Sequence, residues 1–341
     1  METKVLLPTK ENIRICGDAL KNGELVAVPT ETVYGLAANA LDGEAVKNIF
    51  KAKGRPMDNP LIVHISDFDQ IMQYELVKEI PKAAVKLAEC FWPGALTIIM
   101  PKGRAVPYEV SAGLDTVAVR FPSHEVTKAV ITAAGCPLAA PSANTSGRPS
   151  PTSAAHVLHD MNGKIPYILD GGICSVGVES TVITLVQKAP VLLRPGGITV
   201  QQLSSVLGEV KISDAVLYKM KDGQKAESPG MKYKHYAPKA KLVLIKGADD
   251  KYIDYVNARK TNDTAALCYD EDVEKLHVRV FPFGSKNNYK QQANRLFDML
   301  RQIDETNVKT VYGRCPETSG ESMAVYNRMI RAAGFEVIEI A

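Results

Sequence analysis

Residues 44–65 read EAVKNIFKAKGRPMDNPLIVHI, and the fold turns on how they are read. Ala45, Val46, Ile49 and Phe50 recur at the spacing of one helical face, and Gly54 follows as a C-terminal stop. A loop stiffened by Pro56 and Pro60 comes next, then LIVHI (61–65), a short apolar run that reads as a buried strand. Helix, loop and strand in so short a span is the unit of an α/β protein. Working outward, ENIRICGDALKNG (11–23) reads as a helix closed by Gly23, and LVAV (25–28) as a buried strand cut by Pro29. TIIM (97–100), TVAVRF (116–121), PLAA (137–140), YILD (167–170), STVITLV (180–186) and VLLR (191–194) read as further strands. So many strands in one domain predict a large twisted sheet of mixed direction.

From about 218 to 241 the pattern changes. YKMKDGQKAESPGMKYKHYAPKAK holds seven lysines, two prolines and two glycines without periodicity, and reads as a linker. Beyond it KLVLIKG, AALCYD, VRVFPFG, TVYGRC and FEVIEI read as strands, with NNYKQQANRLFDMLRQI as an amphipathic helix and ESMAVYNRMIRAAG between the last two strands. This is a Rossmann-like α/β pattern without the GxGxxG that would support dinucleotide binding. The expected organisation is an α/β catalytic domain over 12–200, a linker or lid over 201–239 and a smaller α/β domain over 240–341.

Composition restricts the function classes. A chain of 341 residues suggests two domains, and 45% hydrophobic with 23% charged residues is ordinary for a globular protein. A net charge of +3 is far from that of a protein built to coat nucleic acid. The six cysteines lie far apart without CxxC, which argues against a zinc site or disulfide framework and for a reducing compartment. No signal-like or membrane-length apolar run is seen, so the expectation is a soluble cytoplasmic protein.

The residues that carry chemistry lie at strand ends and in loops. Lys53 closes the helix, where a cation gains about 0.3–1 kcal/mol from the macrodipole, so helix capping alone explains it. Arg55 lies past the glycine stop, in a loop held by Pro56, and invites a ligand. LVAV runs into PTETVYGLA, setting Thr30, Glu31, Thr32 and Tyr34 just past a strand. In TVAVRF, alternation puts Val117, Val119 and Phe121 on one face and Thr116, Ala118 and Arg120 on the other. A buried arginine needs an anionic partner, either a ligand or a structural salt bridge with Glu31. His64 shares a strand face with Ile62 and reads equally as a satisfied core histidine. PSANTSGRPSPT (141–152) supplies hydroxyls and backbone N–H donors suited to phosphate, although turns have the same composition. Ser180 at a strand entrance and Arg194 before a Pro-Gly-Gly turn complete the set. Lys53, Arg55, Arg120 and Arg194 suit a polyphosphate plus a carboxylate better than a sugar or an apolar ligand.

PTETVYGLA, KGRPMDNPLIVH, the strand with Arg120, PSANTSG, VESTV, LLRPGGI and SPGMKYKHYAP together resemble the Sua5/YrdC family of L-threonylcarbamoyladenylate synthases, in its longer two-domain form. The resemblance implies a twisted mixed-sheet YrdC-like domain plus a Rossmann-like C-terminal domain. It implies that L-threonine, bicarbonate and ATP give L-threonylcarbamoyl-AMP and pyrophosphate, and that other proteins then transfer the threonylcarbamoyl group to adenosine 37 of tRNA. It puts Lys53, Arg55 and Asn144 at the chemistry, with Ser142 and Asn144 as the family's S-x-N pair. It sets Arg55, Asn59, Thr116, Ser142, Ser150, Arg194 and Tyr236 against ATP, with Tyr236 closing as a lid. Thr32, His64, Arg120, the Ala140 backbone and Ser180 would hold threonine. Mg²⁺ would accompany the triphosphate, since no carboxylate cluster marks a protein-built cation site. The rival reading is an RNA-binding module, in which the lysines of 219–241 interleave with Tyr218, Tyr233 and Tyr236.

Overall fold

Two sheets organise the protein, a computed structural model that describes residues 2–219 and 235–340. The first sheet contains β1 (Lys4–Leu6), β2 (Val26–Val28), β3 (Gly35–Asn39), β4 (Ile62–His64), β5 (Leu96–Pro101), β6 (Thr116–Arg120), β7 (Leu138–Ala139), β8 (Tyr167–Leu169), β9 (Thr181–Thr184), β10 (Val191–Arg194) and β11 (Lys211–Ile212). Its order is β1-β8-β2-β3-β7-β4-β6-β5-β9-β10-β11. Direction is mixed: β4 runs parallel to β6, whereas β5 opposes β6 and β10 opposes β9. The second sheet contains β12 (Lys241–Lys246), β13 (Thr264–Cys268), β14 (Arg279–Pro282), β15 (Thr310–Arg314) and β16 (Val337–Glu339), all in parallel pairs, in the order β14-β13-β15-β12-β16.

The opening stretch folds as its pattern dictates. Asp42 caps the helix Gly43–Lys53 by accepting from the N–H groups of Glu44 and Ala45. Ala45, Val46, Ile49 and Phe50 enter the main core, and Gly54 ends the helix with φ +61°, a conformation a residue with a Cβ resists. Alternation then sorts the two faces of the neighbouring strands. Val63, Val117 and Val119 join the main core, while Ile62 and Ala118 pack on the opposite face with Ile99, Val182 and Leu193. His64 and Arg120 share that second face and are register partners across β4 and β6.

The expected boundary at 200 does not coincide with a break in the structure. The helix Val200–Leu207 buries Leu203 in the first core, and β11 extends the first sheet by pairing with β10. A two-residue edge strand with both side chains exposed has no burial pattern to read. The lysine-rich stretch on which the RNA-binding reading rests, Tyr233 included, falls mostly within 220–234, outside the described residues. No helix among the described residues is long and apolar enough to cross a membrane. All six cysteines are free.

The second domain is docked on the first by apolar and polar contacts. Val33 and Val178 join a core cluster with Tyr236, Leu296 and Phe297. Arg301 holds the fully buried Asp160 carboxylate at 2.9 Å and donates to the Pro149 carbonyl at 2.6 Å. Asn327 and Arg331 donate to the carbonyls of Val216 and Ala215. These contacts fix the loops that frame the cavity described next.

Candidate active site

At one end of the first sheet, strands deliver polar side chains in a row. His64 ends β4, Arg120 ends β6, Thr97 pairs with Arg120 across β5, and Arg194 ends β10. Ser180, just before β9, shares a hydrogen bond with Thr97 at 2.7 Å and accepts one from Arg194 Nη2 at 3.1 Å. Arg194 Nε also donates to the Ser180 carbonyl at 3.0 Å. Arg120 pairs with Glu31 at 2.6 Å, and Glu31 also accepts from the Ser123 N–H. Burial alone would raise the Glu31 carboxyl, but the Arg120 guanidinium holds it below its ordinary value. His64 is pushed down to about 3 by burial and then by Arg120, so the imidazole is neutral at physiological pH.

The helix Gly43–Lys53 delivers the next cation from the side. Lys53 is 2% exposed, and its Nζ donates to the carbonyls of Ser142 and Asn144, the latter at 2.6 Å. Burial first, and Arg55 second, hold its ammonium well below the ordinary lysine value. Lys53 thus fixes the backbone of the Pro141–Arg148 loop. Within that loop the Ser142 hydroxyl donates to Asn144 Oδ1 at 2.5 Å, and the Asn144 amide donates to the Thr145 and Arg148 carbonyls at 2.9 Å. Arg55 donates to the Asn59 carbonyl at 3.2 Å and stacks over Phe50.

The opposite wall carries Glu179, His235 and Tyr236. Glu179 accepts from Ser150 at 2.5 Å and from Arg328 of the second domain at 2.9 Å. Burial would raise its carboxyl, yet Arg328 and Arg194 overcome that and hold it at about 2. Arg194 is lowered to about 10 by burial, partly offset by Glu179. Tyr236 has φ +65° and its ring lies against Phe297 at 5.1 Å. His235, buried near Arg55 and Arg331, is pushed down to about 3.

Cations, hydroxyls, the imidazole of His64, Glu179, His235 and Tyr236 line one cavity. Of the fourteen residues that the family resemblance assigns to the reaction, ATP or threonine, Lys53, Arg55, His64, Arg120, Ala140, Ser142, Asn144, Ser180, Arg194 and Tyr236 reach it. Four do not. Thr32 is fully buried and its hydroxyl bonds Thr30 at 2.8 Å. Ser150 is fully buried behind Glu179, and Asn59 is 2% exposed behind Arg55. Thr116 opens β6, four residues and so roughly 13 Å from Arg120. A hydroxyl near a strand does not reveal in the sequence which way, or from which end, it faces.

The sequence reading had not singled out Thr97, Arg148, Glu179, His235 or Arg328. Glu179 and His235 each sit beside a residue that was named, Ser180 and Tyr236. Nothing local marks Arg328, whose partner lies 149 positions away. Chemically, the cavity offers convergent cations, a neutral imidazole, hydroxyls and backbone groups, which suits an anion with several charges. Glu179, the acidic side chain on its wall, is paired with Arg328, and among the described residues no group of three His, Cys, Asp or Glu side chains could hold a metal ion.

Comparison with known proteins gives a consistent result across the chain. Residues 18–196 match the family described as "Telomere recombination" (Sua5, YciO and YrdC proteins), and 198–334 match "Threonylcarbamoyl-AMP synthase, C-terminal domain". A protein of Pyrococcus abyssi (strain GE5 / Orsay) named threonylcarbamoyl-AMP synthase is 47% identical over 337 residues, covering 96% of each chain. Its namesake in Bacillus subtilis (strain 168) is 43% identical, covering 94% of this chain and 92% of its own. The crystal structure of P. abyssi Sua5 complexed with L-threonine superposes with a TM-score of 0.91 at 45% identity, covering 99% of this chain and 100% of that one.

Proposed function

The chain belongs to the Sua5/YrdC family, and from that membership we infer that it is a threonylcarbamoyl-AMP synthase, joining L-threonine, bicarbonate and ATP with release of pyrophosphate. The observation that carries this reading to the present residues is the convergence of Lys53, Arg55, Arg120 and Arg194 on one cavity.

The chemistry divides into two steps. The threonine amine and bicarbonate lose water to form a carbamate. A carbamate oxygen then attacks the α-phosphorus of ATP, and pyrophosphate leaves with the bonding electrons. No side-chain nucleophile takes part, so positioning and charge stabilisation supply the rate. In this nucleotidyl transfer Arg55 and Arg194 face the phosphates, and Ser142 and Asn144 orient them from the loop that Lys53 holds. The threonine carboxylate exchanges with Glu31 on Arg120, while neutral His64 and the Ser180 hydroxyl contact the amino acid. Tyr236 closes over the nucleotide. Asn59, Ser150 and Thr32 support this wall from behind, and Thr116 would meet the nucleotide only at its far end. Mg²⁺ enters with the triphosphate as part of the substrate. The product passes to separate threonylcarbamoyl-transfer proteins that act on adenosine 37 of tRNA.

Mass spectrometry of the product from ATP, labelled threonine and labelled bicarbonate tests the reading. A single adenylate carrying both labels supports it; AMP or ADP without the labels overturns it.

A further inference from the structure

Thr97 sets a hydroxyl among hydrocarbon. Alternation along β5 sends Leu96, Ile98 and Met100 to the main core and puts Thr97 on the second face, where Ile62, Ile99, Ala118, Val182 and Leu193 pack. β5 lies between β6 and β9, so Thr97 has Arg120 on one side and Val182 on the other. It is fully buried. A valine would fill the position and bury no polar atom. Among the described residues the Thr97 hydroxyl has one partner, Ser180 Oγ at 2.7 Å, and Ser180 lines the cavity.

The direction of that bond follows from a count of hydrogens. A hydroxyl offers one hydrogen and two lone pairs. Ser180 Oγ already accepts from Arg194 Nη2 at 3.1 Å. If Ser180 donated to Thr97, the Thr97 hydrogen would be fully buried with no acceptor among the described residues, which destabilises the fold. If Thr97 donates, Thr97 and Arg194 fill both Ser180 lone pairs, and the Ser180 hydrogen remains for a group in the cavity. A serine filled in this way can only donate. Its ligand atom is then an oxygen, and an ammonium is further disfavoured by the Arg194 guanidinium beside it. We propose that Thr97 is a positioning residue for the amino acid: it donates to Ser180 and turns the Ser180 hydrogen toward an oxygen of bound threonine. The proposal rests on the reading above that Ser180 contacts threonine. The carboxylate and the side-chain hydroxyl of threonine both present the oxygen lone pair it requires.

The test uses the full-length chain, with Thr97→Val, Thr97→Ser, Ser180→Ala and the double variant Thr97→Val/Ser180→Ala. Threonine and ATP affinities are measured separately by titration calorimetry. Ser180→Ala raises the threonine Kd about ten-fold and Thr97→Val about five-fold, while the ATP Kd of Thr97→Val stays within about two-fold of the wild type. Thr97→Ser restores the hydroxyl and with it threonine affinity, to within about two-fold. The double variant binds threonine within about two-fold of Ser180→Ala alone, because Thr97 acts only through Ser180. A merely structural Thr97 predicts losses that multiply in the double variant, or a Thr97→Ser as weak as Thr97→Val, and either result overturns the proposal. So does wild-type threonine affinity in Thr97→Val. If Thr97→Val does not fold, Thr97→Cys, which leaves only a weak donor, is read by the same limits. Titration of 2-aminobutanoate, which lacks the threonine hydroxyl, separates the two oxygens. A Thr97→Val loss that persists makes the carboxylate the acceptor, one that disappears makes it the hydroxyl, and each supports the proposal. Unchanged threonine affinity in Ser180→Ala overturns the placement of Ser180 itself, a result distinct from those of the Thr97 variants.

Discussion

Glu179 should make this protein's stability sensitive to acid, and the size of the effect follows from the structure. Burial opposes the charged form of Glu179, but Arg328, Arg194 and the Ser150 hydroxyl outweigh it and hold the carboxyl at about 2 against an ordinary 4.5. The folded chain therefore binds this proton more weakly than the unfolded chain. The resulting stability is fully present above pH 4.5 and is lost as the pH falls toward 2. The whole difference corresponds to about 3 kcal/mol, of which about 2 kcal/mol is gone by pH 3. Urea unfolding of the wild type and Glu179→Gln at pH 6 and pH 3 isolates this contribution, because Glu31, Asp160 and the other carboxylates titrate in both proteins. The variant starts lower at pH 6, since it leaves Arg328 buried without a counter-charge, but it declines less, by about 2 kcal/mol. Parallel losses in the two proteins would refute the argument that Glu179 is held ionised by its arginines.

Other perturbations give separate results. Arg55→Ala lowers turnover by roughly 10²-fold or more with the fold intact, through lost charge stabilisation, as read from steady-state kinetics alongside circular dichroism; near-normal turnover removes Arg55 from the site. Arg120→Ala weakens threonine more than ATP in calorimetric titrations, and the opposite order contradicts the carboxylate assignment. Arg301→Leu leaves the fully buried Asp160 carboxylate with only the Arg148 guanidinium and the Thr145 N–H, and costs about 3–5 kcal/mol by chemical unfolding. A loss below about 1 kcal/mol would mean that Arg148 alone satisfies Asp160.

Much of this was legible in the sequence because it is local. The periodicity of Ala45, Val46, Ile49 and Phe50, with Gly54 as the stop, describes the helix that delivers Lys53, and two-residue alternation put Arg120 opposite Val117 and Val119. Both partners considered for Arg120 retain a place: Glu31 holds it in this structure, and the threonine carboxylate is its partner in the proposed reaction. What the sequence hid was depth and distance. Thr32 and Ser150 follow the composition of a binding loop, yet their hydroxyls turn inward to Thr30 and Glu179. The pairs Arg301–Asp160 and Arg328–Glu179 span 141 and 149 positions and join two domains, so no local spacing could announce them. β11 escaped because a short exposed edge has no alternation.

The most direct measurement is pyrophosphate release by the purified chain from ATP and Mg²⁺, with threonine and bicarbonate each present or withheld. A shared cavity in which an arginine-held amino acid meets an arginine-held triphosphate predicts release only when both co-substrates are supplied. Equal release without threonine, or none with the full set, would contradict it.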